Sequence, residues 1–354
     1  MEQQFNQDKF FYEQAEKWNL KTFHLPISLQ KGIVTPIFEL LNNSLLHRHK
    51  RKQLLLPNFC EAESVMIFSD YSGEAPDSRY SVYSFLFADY NAAGIFAKGM
   101  TDIRNKYFSD NISKEIAFKD SHYGPINRSI DEYLYFANNF LNGLVFTLIV
   151  DKSITSLIAA DNTAGLKILA ELCSKNDLGN WKPKVLEKGA RILYIIAYFC
   201  KLLVPDDKKI FWMTDADSIM PNRDKAEKMA KMLQNCLNSL EKPPEYDTIG
   251  FSMEPFVFEE DKYKFRDILS IADLVAGSVE HYFTRKDAHE TLTINAVAKK
   301  TLTWLSEQGV GLKKLNFIIK KDNNQFSGSF IDFNADVPIK NARYIDYIYN
   351  SSIE

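Results

Sequence analysis

Cysteine is scarce, with four residues in 354, at positions 60, 173, 200 and 236. No two form a Cys-x-x-Cys pair, so neither a zinc site nor a disulfide framework is indicated, and a reducing compartment is expected. An excess of positive charge is also missing. The net charge of -3 argues against nucleic-acid binding by bulk charge but leaves room for a local basic patch. The N-terminus, Met1-Glu2-Gln3-Gln4, lacks the apolar segment of a secretory signal. The longest apolar stretch, residues 192–204, is broken by Lys201 and is too short to span a bilayer. A cytoplasmic protein without a membrane partner is therefore expected. There is no Gly-x-Ser-x-Gly elbow for a Ser–His–Asp hydrolase. No Gly-x-Gly-x-x-Gly or Walker A loop points to a nucleotide cofactor. Internal repeats and low-complexity tracts are absent too.

Apolar and aromatic residues are plentiful. Hydrophobic residues make up 45% of the chain, and 26 Phe and 17 Tyr are enough to fill a large core. Residues 1–63 read as helical, with Phe10, Phe11, Ala15 and Trp18 on one face and a second helix over 35–46. From residue 64 the pattern turns to strands. Three of them, 65–70, 80–88 and 94–98, follow one another through short loops and read as an antiparallel meander. A short strand or extended segment at 116–119, a helix over 130–141 and a strand over 144–150 ending in Asp151 come next. Helices are expected over 160–174, 184–203, 224–239 and 267–283, with a strand at 209–214 and an edge strand at 248–253. A helix over 288–306 then leads to a hairpin with arms 315–320 and 326–333 and a turn at Asp322-Asn323-Asn324. The order implies an α/β layout with a mixed sheet. Its divisions are a helical N-terminal extension (1–63), a core domain (64–284) and an α+β C-terminal extension (285–354).

The chemistry-bearing residues gather at strand ends. Val65 to Phe68 is an apolar run, followed by Ser69, Asp70, Tyr71, Ser72, Gly73 and Glu74. A carboxylate at the mouth of a central strand is held by rigid backbone, which suits a metal or an acid–base role, although an isolated Asp-x-Ser-Gly also reads as a turn cap. Asp151, Asp215 and Asp217 end later strands. Asp273 lies among apolar and small residues in Ile271-Ala272-Asp273-Leu274-Val275-Ala276-Gly277, where a charge is costly unless paired or metal-bound. Convergence of these carboxylates would call for Mg²⁺ or Mn²⁺. Two such ions about 4 Å apart form the usual clamp for phosphodiester displacement. The run His47-Arg48-His49-Lys50-Arg51-Lys52 reads either as a solvated helix end or as a phosphate-binding patch carried by Arg48, Lys50, Arg51 and Lys52.

Asp70-x-Ser72-Gly73, Glu115-x-x-x-Lys119, Val150-Asp151-Lys152 and the Ile271–Gly277 segment together resemble the bacterial domain-of-unknown-function family numbered 3800, over residues 64–284. The resemblance implies an RNase H-like mixed sheet flanked by helices, with Asp70 on its central first strand. It also implies metals on Asp70 and Asp273 together with one or both of Asp151 and Asp215. Lys119 would contact a phosphate or steady the carboxylates, and the context would be bacterial defence or a mobile element. The family pattern is Asp-Glu-Ser-Gly. This chain has Tyr71 at the glutamate position, and Glu74 is the candidate substitute.

The favoured expectation is a metal-dependent nuclease acting on RNA or DNA. Asp70, Asp215, Asp273 and Lys119 form its catalytic set. Glu74, Asp151 and Asp217 join Asp70, Asp215 and Asp273 as metal ligands. Tyr71 and Tyr123 are weighed as base-stacking residues against simple packing, and His122 as a proton carrier against a solvated loop residue. Two alternatives stand beside the nuclease. One is a non-catalytic RNase H-like binding or sensor module, which Tyr71 favours. The other is a glycosyltransferase using Asp215-Ala216-Asp217 to hold a metal and a sugar diphosphate. The terminal extensions are candidate docking segments for a second copy or a partner protein, the C-terminal hairpin through its strand edge.

Overall fold

The structure is a computed structural model that describes residues 13, 15–20, 36–157, 162–215, 217–253, 262–287, 294–322, 325–334 and 343–348. Phe10, Phe11, Ala216, Asn323 and Asn324, and the segments 158–161 and 288–293, lie outside the described residues. Eight strands form one sheet: β1 (Ser64–Ser72), β2 (Tyr80–Asp89), β3 (Gly143–Asp151), β4 (Lys209–Thr214), β5 (Thr248–Met253), β6 (Leu312–Asp322), β7 (Gln325–Asp332) and β8 (Arg343–Ile348). Their order is β5-β4-β1-β2-β3-β6-β7-β8. β2 runs antiparallel to both β1 and β3, while β4 is parallel to β1 and β5 to β4. The fold class is thus the expected α/β one, with an antiparallel triplet and parallel strands in one mixed sheet.

Alternation along β1 decides what each face receives. Val65 and Ile67 enter one apolar core, and Met66 and Phe68 enter the other. The first face is covered by α1 (Pro36–Lys50), α4 (Asn162–Lys175), α5 (Pro183–Leu203) and α6 (Arg223–Asn238). The second is covered by α2 (Gly94–Tyr107), α3 (Gly124–Phe140), α7 (Lys262–Asp287) and α8 (Ala296–Leu305). β3 is buried along all nine residues because it lies between both layers. α7 fills the centre of the second face. Its Ile268, Ile271, Leu274, Val275, Val279 and Tyr282 are buried, and each large apolar side chain removed from water contributes about 1.5–3 kcal/mol.

The meander differs from the sequence reading at its third member. Residues 94–98 open helix α2, where Phe96, Met100 and Ile103 are buried at a helical period. A five-residue window at the start of that run does not show the period. The third antiparallel strand is instead β3, reached through α2 and α3. Residues 116–119 form no strand; a 3-10 turn spans Phe118–Asp120. In the C-terminal stretch, β6 joins the sheet beside β3, and β8 pairs with β7. The outer edge of the hairpin is therefore taken by the chain's own last strand. All four cysteines are free thiols. No helix among the described residues is long and apolar enough to cross a membrane.

One buried ion pair ties the second layer together. Arg104 of α2 donates from Nε to Asp267 Oδ2 of α7 at 3.0 Å, and from a terminal nitrogen to Asp267 Oδ1. Its other terminal nitrogen donates to the carbonyls of Ile112 (2.7 Å) and Lys114 (3.0 Å). The Tyr133 hydroxyl adds a bond to the Asp267 carbonyl at 2.6 Å. Arg104 thereby fixes the 108–115 loop against α7. Removing one partner of such a pair leaves a buried charge uncompensated. Urea unfolding of Arg104→Met should show a loss of about 3–5 kcal/mol. The double variant Arg104→Met/Asp267→Leu should recover most of it. A single-variant loss no larger than that of a surface substitution would contradict the clamp.

Candidate metal centre

The strand alternation that sends Met66 and Phe68 toward α7 sends Asp70 the same way. β4 runs parallel to β1 with Ser69 opposite Thr214, so Asp215, the first residue past the end of β4, leaves the sheet next to β1, and its charge is felt by Asp273 and Lys119. Asp273 reaches the same place from α7. Its carboxyl is hydrogen-bonded to that of Asp70 and accepts the Phe118 N–H at 2.5 Å. Asp70 Oδ1 accepts the N–H of Tyr71 at 2.7 Å. Glu115 and Lys119 stand at the rim, 3.3 Å apart, with the Lys119 side chain 72% exposed. Four carboxyls from four separate segments thus share one electrostatic neighbourhood.

The neighbourhood is strained by charge. Burial raises the Asp70 pKa well above its ordinary value, and the adjacent charge of Asp273 raises it further. Burial also raises Asp273; the Phe118 N–H and the bond to Asp70 oppose this, while Glu115 and Asp215 reinforce it. The two carboxyls are therefore driven to share a proton. Lys119 is held above its ordinary range by Glu115 first, with Asp273 and Asp215 contributing. Proton sharing between hard oxygen donors marks a place where a divalent cation would be favourable, and Mg²⁺ and Mn²⁺ suit such donors. Among the described residues no three acidic, histidine or cysteine side chains are already gathered as a ligand set.

Gly277 and Phe118 set how closely the pieces approach. A Cβ on Gly277, one helical turn beyond Asp273, would come within 2.3 Å of the Phe118 ring. The glycine therefore lets the 3-10 turn lie against α7 and deliver its N–H to Asp273.

The other expected residues lie elsewhere. Asp151 shares the sheet face of Asp70 but is two strands across and four residues further along, on the order of 16 Å away. It pairs with Arg79 at 3.1 Å and accepts the Ser153 N–H at 2.9 Å. Burial alone would raise its pKa, but Ser153 and Arg79 prevail and lower it. Glu74, the expected substitute for a glutamate at position 71, is drawn away from Asp70. Gly73, at φ +90°, turns the chain, and Glu74 is held 2.5 Å from Lys188 Nζ of α5. Asp217 binds the same nitrogen at 2.5 Å. The Asp215-Ala216-Asp217 motif is therefore divided between two sets of partners. Tyr71 faces the first core, where its hydroxyl meets Ser69 Oγ at 2.6 Å and Thr214 Oγ1 at 3.3 Å.

The basic run is also divided. Arg48 is 6% exposed and bonded at 2.6 Å to Asp332 of β7, over the ring of Phe330. It belongs to the first core and is no exposed phosphate ligand. Lys50, Arg51 and Lys52 are exposed at the end of α1, on the sheet face opposite Asp70. Glu115 at the rim of the acidic centre, and Lys188 on the opposite face of the strand ends, are missing from the expected set. Glu115 was legible four residues before Lys119, whereas nothing in the local pattern of α5 marks Lys188.

No family model matches the chain, and no curated protein matches it. Among solved structures, the ribonuclease H2 from Pyrococcus horikoshii OT3 aligns over 68% of this chain and 85% of that one, at 11% identity and a TM-score of 0.31. A likeness that slight carries no argument about activity.

The shared proton fixes a pH dependence. Both carboxyls have folded pKa values raised above the ordinary 3.8. Their contribution to stability is then complete below about pH 4 and is lost as pH rises through the folded values. In EDTA, Asp70→Asn should gain several degrees of Tm over the wild type at pH 8 and little at pH 4. Millimolar Mn²⁺ should raise the wild-type Tm at pH 8 and leave Asp70→Asn nearly unmoved. A variant difference that does not change with pH would contradict the shared proton.

Proposed function

We propose that this protein is a divalent-metal-dependent nuclease that hydrolyses phosphodiester bonds in RNA or DNA, and that it belongs with the family numbered 3800. The observation that carries the reading is the contact of Asp70 with Asp273, with Asp215 and Glu115 close enough to act on Asp273, where β1 and β4 end against α7. Four acids in partly apolar surroundings are unfavourable for a fold and suited to a cation.

Asp70 and Asp273 would hold the metal, with Asp215 and Glu115 completing the donor set. Mg²⁺ or Mn²⁺ bound there supplies an activated water and charge stabilisation for the leaving oxygen. The chain's own residues do the rest. Strand β1 fixes Asp70, and the Tyr71 N–H orients one of its oxygens. The Phe118 N–H and the close approach at Gly277 fix Asp273. Lys119, exposed and charged beside Glu115, is placed to meet a phosphate oxygen at the rim. Asp151, bound to Arg79, and Asp217, bound to Lys188, take no part in holding the metal.

A second reading, the non-catalytic RNase H-like module, is favoured by one observation: the described carboxylates are neighbours without yet forming a ligand set. Activity separates the two. On labelled single- and double-stranded RNA and DNA, cleavage should require Mg²⁺ or Mn²⁺ and stop in EDTA. Asp70→Ala and Asp273→Ala should each lose at least a thousandfold, roughly the scale of a key electrostatic group. Asp151→Asn should stay within about threefold of the wild type, as expected of a group remote from the chemistry. Binding without cleavage by the wild type would support the module.

A further inference from the structure

On the other face of the same strand ends lies a second polar cluster. Lys188 is in the early part of α5, and its side chain is 13% exposed. Nζ sits 2.5 Å from Asp217 Oδ2 and 2.5 Å from Glu74 Oε1, and 4.8 Å from the centre of the Tyr71 ring. The two acids differ in how they are held. Asp217 is 23% exposed, and its other oxygen accepts the Ile219 N–H at 2.8 Å. Glu74 is 69% exposed and lies just past the turn at Gly73. Tyr71 is in turn anchored to Ser69 and Thr214, so the ring beneath the ammonium is fixed to β1 and β4. The charge of Lys188 is felt by Asp70 itself. A largely enclosed cation thus stands beside the acidic centre, with one fixed counter-ion and one on the solvent side.

We propose that Lys188 contacts a backbone phosphate of a nucleic-acid strand lying across the ends of β1 and β4, and that Glu74 is the resting counter-ion this phosphate displaces. Asp217 and Tyr71 keep the ammonium aimed while the exchange takes place. An exposed ion pair is worth little, so the glutamate is replaceable at small cost. A phosphate offers the ammonium a charge-assisted bond of the same kind. The acidic centre would otherwise repel a polyanion, and Lys188 offsets that repulsion from the opposite face. The proposal rests on the nuclease reading.

The test measures fluorescence anisotropy of labelled single-stranded and duplex oligonucleotides, both DNA and RNA, with full-length protein in Mg²⁺. An Asp70→Asn background prevents turnover. Lys188→Met should weaken binding about tenfold, as the loss of one charged hydrogen bond does. It should also reduce the salt slope by about 0.7–0.9. Lys188→Arg should retain most of the affinity. Glu74→Gln, at an exposed position where folding is not at risk, should tighten binding roughly two- to fivefold. Displacement of the oligonucleotide by inorganic phosphate at comparable concentration would overturn the proposal in favour of a free-anion site. Oligonucleotide binding unchanged in both Lys188→Met and Glu74→Gln would overturn it and leave the nuclease reading intact. Equal weakening in both would show a structural strut and also overturn it. No oligonucleotide binding by any form, wild type with metal included, would overturn both readings.

Discussion

Two half-buried carboxyl groups held side by side resist being ionised together without a cation between them, and the organisation around β1 and α7 depends on that constraint. Asp70 is fixed by the central strand, and Asp273 by a helix whose neighbouring side chains are apolar or small. Neither can retreat to solvent without moving an element that spans the core. The repulsion is met locally by a shared proton, by the Phe118 N–H and by the rim pair Glu115–Lys119. Separately, Arg104 pins α2, α7 and the 108–115 loop with one guanidinium. Stability is thereby conceded at one point and recovered in the layer that surrounds it.

The sheet's two-residue period separates the polar groups at these strand ends. Asp70 and Tyr71 are adjacent in sequence and face opposite layers, one beneath α7 and the other beneath α5. Asp215 and Asp217 also part, the first toward Asp273 and the second toward Lys188, but here because β4 has ended at Thr214 and the alternation no longer holds. The result is an acidic group on one side of the strand ends and a lysine held by acids on the other. A motif that looks continuous in sequence is therefore two half-motifs in space, and the Asp-x-Asp reading as a single diphosphate clamp loses its geometric basis.

Tyr71 has a structural role of its own. A glutamate at that position would point into the first core, where the tyrosine hydroxyl now bonds Ser69 and Thr214 and its ring supports Lys188. Glu74 lies past the turn and is drawn to that same lysine rather than to Asp70. The acidic centre takes its additional carboxyls from Asp215 and Glu115 instead.

The sequence by itself determined the elements with a strong local signal. The runs ending at Asp70, Asp151 and Asp215 are strands because their apolar residues are continuous, and the 267–283 pattern is a helix because its apolar residues recur at its period. The cost of a charge amid Ile271, Ala272 and Leu274 marked Asp273 without any knowledge of its partner. Local pattern failed where a window was short, as at Gly94, whose helix becomes visible only with Met100 and Ile103 included. Tertiary structure alone decided which carboxylates meet, because register and face depend on strand pairing across many residues of separation. That pairing brought Asp215 within reach of Asp273, left Asp151 with Arg79, buried Arg48 against Asp332 and set Lys188 between Glu74 and Asp217. Sequence gives each residue its chemistry; only the folded sheet gives it neighbours.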